Sequence, residues 1–193
     1  MIDRFDQKKI RSFYEKYFQT EEGLNKFIER SDTEHMKLLV YWLVGIADSQ
    51  ELVVENRSGL KIFFMIVLAE SIAKMADNYK EEGLSRKYAK DFFKNADTDD
   101  QKNLLEKFIY TKKDSSLNID YIADFFYSIR CDLAHNGIFW RFFFNSDVHD
   151  ATVSIKSANF GLSVMLKYDD FKYFIVKTAI KFINEYNTSI CQK

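Results

Sequence analysis

Not one of the 193 residues is proline. Average usage of about 5% would place roughly ten prolines in a chain of this length. Proline removes a backbone donor and clashes with the preceding helical turn, so its absence permits long uninterrupted helices and predicts that they dominate. The chain is 47% apolar and 17% aromatic, enough to fill one sizeable core, because large rings remove much apolar surface per residue ordered. Disorder, collagen and low complexity are excluded, and the length is that of one domain, taken here as 1–193.

Lys and Arg total 28 against 29 Asp and Glu, and the isoelectric point is about 6.3. A polycation that coats nucleic acid is therefore excluded, and any such contact must be local. The stretch from 130 to 193 is mildly positive, with eight cations against six carboxylates. Cys131 and Cys191 have no sequence-near partner and do not form a disulfide framework. The longest charge-free apolar runs, Leu38–Ala47 and Ile62–Ala69, fall well short of the ~20 residues that span a bilayer. The N-terminus alternates charges without an apolar stretch, unlike a signal peptide. The expectation is a soluble, cytoplasmic protein.

Helical periodicity recurs along the chain. Ile10, Phe13, Tyr14, Tyr17 and Phe18 form one stripe. Ser31-Asp-Thr-Glu34 has capping-box spacing and opens a second helix. From Ile62 to Ala73 a third is apolar on nearly every side, which places it in the middle of a bundle, with Glu70 its one acid. Gly83 and Ser85 read as a stop and a cap. Thr98-Asp-Asp-Gln101 opens a helix that carries Leu104, Leu105, Phe108 and Ile109. Asn118 caps a helix with the stripe Ile122, Phe125, Phe126 and Ile129, closed by Asn136-Gly137. The period then shortens: Phe139–Asn145, Thr152–Lys156 and Leu162–Lys167 read as strands. Asp169 or Asp170 caps the final helix. The fold expected is mostly α, a helical bundle with a small antiparallel β insertion, about 138–167, before the last helix.

Three His and two Cys without His-x-x-x-His or Cys-x-x-Cys spacing make a metal site improbable. Six scattered glycines form no nucleotide loop or nucleophile elbow. No metal and no cofactor is expected. What remains is Tyr127-Ser-Ile-Arg130-Cys-Asp-Leu-Ala-His135-Asn-Gly137, an Arg and a His five residues apart at the end of a helix. On an ideal wheel the two lie about 140° apart, so one helix does not converge them on one phosphate. A break at Asn136, or a two-fold partner, supplies the missing geometry.

This stretch resembles the R-x-x-x-x-H motif of the HEPN superfamily, helical domains that include metal-independent ribonucleases of toxin–antitoxin, abortive-infection and CRISPR-associated systems. The resemblance covers about ten residues. The late helix, the following Gly and the preceding apolar helix with Glu70 accord with it. It implies a homodimer that joins two motifs into an RNA-cleaving cleft, with catalytic Arg130 and His135 supported by Glu70, Asp132 and Asn136. Arg141 and Lys156 are the substrate-binding candidates. The residue after the family's Arg is commonly Asn, Asp or His, whereas here it is Cys131. Gly137 stands where one subgroup carries a Tyr modified by a nucleotidyltransferase, and that partner is not carried over.

The residue types suit the chemistry. Metal-free RNA cleavage needs a base for the 2′-OH and an acid for the leaving 5′ oxygen, and an imidazole titrating near neutrality serves as either. A guanidinium holds phosphate oxygens bidentately. The function expected is an endoribonuclease giving a 2′,3′-cyclic phosphate, of toxin or antiphage-defence kind, with RNA, a second copy and an antitoxin or other protein regulator as partners. The alternative is an inactive HEPN-like dimeric module that binds RNA, a nucleotide or a protein partner. Three side readings stay open: a Cys131–His135 thiolate pair, base stacking on Trp140, Phe142 and Phe144, and Glu70 either paired with Arg130 or partly exposed.

Overall fold

The computed structural model describes residues 4–53, 58–77, 83–110, 117–138, 142–145, 153–157 and 160–186. Eight α-helices occur among them: α1 (Arg4–Glu15), α2 (Glu21–Glu29), α3 (Glu34–Val53), α4 (Ser58–Ala76), α5 (Ser85–Asn95), α6 (Thr98–Leu105), α7 (Ile119–Asn136) and α8 (Tyr168–Glu185). A 3-10 turn, Ser31–Thr33, precedes α3, so the Ser31 capping box opens a tight turn and the α-helix starts at Glu34. The architecture is a helical bundle.

α4 is its axis. It packs against α3, α5, α7 and α8, and Ile62, Met65, Ile66, Leu68, Ala69 and Ile72 along it are fully buried. A helix apolar on all sides reaches this position because no face of it gains by contact with water. Phenylalanines join the neighbouring helices: Phe126 stacks on Phe171 with centroids 4.4 Å apart, and Phe92 on Phe182 at 5.4 Å. Phe93 lies 5.3 Å from Phe174. Each such pair adds about 0.5–1.5 kcal/mol beyond the area it buries, which sets α5, α7 and α8 rigidly around α4.

α7 has defined ends, and these fix where its last two turns point. The Asn118 side chain accepts from the Tyr121 N–H at 2.9 Å. At the other end Gly137 adopts φ 64°, a left-handed conformation favourable to glycine. Its N–H donates to the Leu133 carbonyl at 3.1 Å, and that of Ile138 to Asp132 at 3.2 Å. At α8 the aspartates Asp169 and Asp170 occupy the first turn, and Lys167 is the capping position.

The largest departure from the periodicity lies after α6. The helix stops at Leu105, and Phe108–Tyr110 is strand β1. With β2 (Val153–Ser157) and β3 (Phe160–Val164) it makes an antiparallel sheet of order β1-β3-β2. Phe108 pairs with Val164, the Lys107 carbonyl accepts from the Met165 N–H at 2.8 Å, and the Phe108 ring lodges against Phe125 and Phe126. A ladder partner distant in sequence thus overrides the local helical pattern. Of the expected strand Phe139–Asn145, residues 139–141 lie outside the described residues. Residues 142–145 form no strand, although the Asn145 N–H donates to the Leu166 carbonyl at 2.9 Å.

The corner between α2 and α3 is tied by two cations. Lys37, only 4% exposed, donates through Nζ to the carbonyls of Phe27, Ile28 and Arg30 at 3.0, 2.8 and 2.6 Å. It thereby satisfies the orphan acceptors at the end of α2. Arg30 does the same for α8, donating to the carbonyls of Ile183 and Tyr186 at 2.9 and 2.8 Å. Lys37→Met keeps the volume but orphans buried carbonyls, and it is expected to cost about 2–3 kcal/mol in urea unfolding.

Candidate functional site at the end of helix α7

α7 is continuous from Ile119 to Asn136 and turns only at Gly137, beyond both motif residues. A break at Asn136 therefore does not re-aim His135. Arg130 and His135 stay about 140° apart around the helix and about 7.5 Å apart along it. His135 and Asn136 are exposed, and Asp132 is half-buried. Within the chain the guanidinium and the imidazole do not converge.

Arg130 turns toward the bundle and meets Glu70 of α4. Its Nη2 donates to Glu70 Oε2 at 3.1 Å, and its Nε lies 3.0 Å from Oε1, close enough for an ionic contact though poorly aligned for a hydrogen bond. The side chains are 20% and 10% exposed. Glu70 is thus paired, and the partly exposed alternative is set aside. Arg130 Cζ also lies 5.8 Å from the centre of the Tyr127 ring. Among the described residues nothing engages its Nη1.

Burial pushes the Glu70 carboxyl above the usual carboxylate range, against the downward pull of Arg130 and of a Ser85 hydrogen bond. A carboxyl whose folded value exceeds its unfolded one holds more protons when folded. Its contribution to stability is therefore full below the unfolded value and is lost as the pH rises through the folded value. Glu70→Gln is expected to remove that segment of the stability-versus-pH curve, seen as a flatter profile through the weakly acid range in denaturant titrations.

The remaining candidates are less gathered. Cys131 is a half-buried free thiol close to the Tyr127 hydroxyl; burial first, and then the thiol, push Tyr127 up to about 12. Its partner is thus one turn toward the N-terminus, away from His135. Lys156 sits on β2 opposite Gly161; Arg141, Trp140 and His149 lie outside the described residues. Phe142 is fully buried, with its ring centre 6.0 Å from those of Phe125 and Phe126, so it belongs to the core and does not stack bases. Phe144 packs on Phe142 and Tyr168 at 4.9 and 5.3 Å.

No family model, curated protein or solved structure matches this chain. The site is therefore read from its own geometry. Among the described residues no group of three His, Cys, Asp or Glu side chains is placed to hold a metal ion. No helix among them is long and apolar enough to cross a membrane.

One feature beside the motif escapes the sequence. Lys90 Nζ and Arg86 Nε each reach Asp124 at 2.7 Å, and Lys94 Nζ reaches Asp120 at 3.0 Å. The signal was present as Arg86, Lys90 and Lys94 spaced four apart opposite Asp120 and Asp124, also four apart. That α5 and α7 face each other is what the spacing alone leaves open.

Proposed function

We propose that the chain is a metal-independent endoribonuclease of HEPN type that acts as a homodimer on RNA. One observation carries the reading: a permanently charged guanidinium, oriented by Glu70, and an exposed imidazole occupy the last two turns of one helix. A two-fold contact between α7 ends brings the Arg130 of one subunit toward the His135 of the other, which the 140° separation within one helix otherwise prevents. An imidazole takes the proton from the ribose 2′-OH, and the oxygen attacks the adjacent phosphorus. The P–O5′ bond breaks, and the leaving oxygen accepts that proton back from the imidazolium so formed. Arg130 stabilises the charge on the non-bridging oxygens through its Nη1. The products are a 2′,3′-cyclic phosphate and a 5′-hydroxyl.

In this reading Glu70 aims Arg130, Asp132 and Asn136 frame His135, and Arg141 and Lys156 line a phosphate track. The strands between α7 and α8 form a β insertion beside the cleft. The setting is the cytoplasm, in a toxin or antiphage-defence role restrained by an antitoxin or other protein regulator. A second reading, an inactive HEPN-like dimeric module binding RNA, a nucleotide or a protein partner, is favoured by the engagement of two Arg130 nitrogens with Glu70. The two part on incubation with single-stranded and structured RNA in excess EDTA. The ribonuclease yields fragments with cyclic phosphate ends. Intact RNA, or cleavage abolished by EDTA, contradicts it.

A further inference from the structure

The ion pairs between α5 and α7 fix how the two helices run. Moving forward along α5 from Arg86 to Lys94 moves backward along α7 from Asp124 to Asp120, so the pair is antiparallel. The first turn of α5 therefore lies at the end of α5 nearer the motif, with Arg86 meeting Asp124 eleven residues, about 16.5 Å along the axis, before His135. On the α7 wheel Asp124, Cys131 and His135 fall within about 40° of one another, whereas Arg130 is about 120° away from Asp124. The guanidinium on the imidazole's own stripe is thus that of Arg86.

Arg86 suits an anion. Its side chain is 65% exposed and fastened at Nε by Asp124, and among the described residues nothing engages Nη1 or Nη2. Asp124 is shared with Lys90. Two cations thus face one carboxylate, and Asp132 adds a second carboxylate at the edge of the stripe. Tyr127 and Cys131 lie within electrostatic reach of the Arg86 guanidinium. Cys131 precedes His135 by one turn, about 6 Å along the axis.

We propose that Arg86 is a substrate-holding residue that grips a phosphodiester of single-stranded RNA on the same face, and in the same subunit, as His135. This rests on the ribonuclease reading and extends it. The partner subunit supplies Arg130 to the reacting phosphate, while Arg86 holds the strand against the imidazole from within the chain. Asp124 is a positioning residue that leaves the outer half of the fork free for two phosphate oxygens.

The test uses a short single-stranded 2′-O-methyl oligoribonucleotide, which lacks the attacking hydroxyl and so reports binding apart from cleavage. Its affinity is followed by fluorescence anisotropy over a series of salt concentrations. Arg86→Ala is expected to weaken binding about 10-fold and to reduce the slope of log affinity against log salt by about 0.7, the loss of one phosphate contact. Arg86→Lys keeps the slope but not the full affinity, because a point charge replaces the fork. Lys94→Ala, which breaks the neighbouring ion pair, changes neither, and melting temperatures report folding. Arg86→Ala behaving like Lys94→Ala overturns the proposal, as does a wild-type protein that does not bind the oligonucleotide. Arg86-dependent binding without cleavage of ordinary RNA upholds this site and sinks the ribonuclease reading. Cleavage untouched by Arg86→Ala does the reverse.

Discussion

His135→Ala is expected to slow RNA cleavage by about 10²–10⁴-fold, the usual loss when a positioned acid–base group is removed. The melting temperature should not change, because the imidazole is exposed at the helix end and no packed neighbour collapses with it. Cleavage at the wild-type rate by purified His135→Ala contradicts the assignment.

Removing Arg130 has the largest expected effect on stability. Glu70 is then left, among the described residues, as a carboxylate packed into the bundle without a cationic partner. Breaking a buried pair from one side costs about 3–5 kcal/mol at neutral pH, read from urea unfolding of Arg130→Met. Without the downward pull of the guanidinium the Glu70 carboxyl rises further. The folded state then gains protons ahead of the unfolded one, and the deficit shrinks as the pH falls. The double variant Arg130→Met with Glu70→Leu should regain most of the lost stability, because a well-packed apolar pair escapes the desolvation cost of the ions. A single variant as stable as wild type would mean that the pair is solvated in solution.

The bundle was legible because its determinants are local. The lack of proline, the apolar circumference of α4 and the Gly137 stop each act within a few residues, and periodicity reads them directly. The Glu70–Arg130 pair could be anticipated because a lone carboxylate on an apolar helix requires a partner. What depends on contacts distant in sequence was not legible. Phe108 and Ile109 continue a helical stripe on paper, yet the β3 edge claims them. Lys37 looks like any helix lysine until the α2 carbonyls converge on it. The Arg86 row becomes informative only once α5 is known to run antiparallel beside α7.

The central claim is that a guanidinium from one subunit and an imidazole from another act on the same phosphodiester. Mixing Arg130→Ala with His135→Ala tests it most directly. Free exchange makes half the dimers hybrid, each with one intact composite site, so the mixture should recover about a quarter of the wild-type rate. A mixture no more active than either variant alone, from subunits shown to have exchanged, contradicts it.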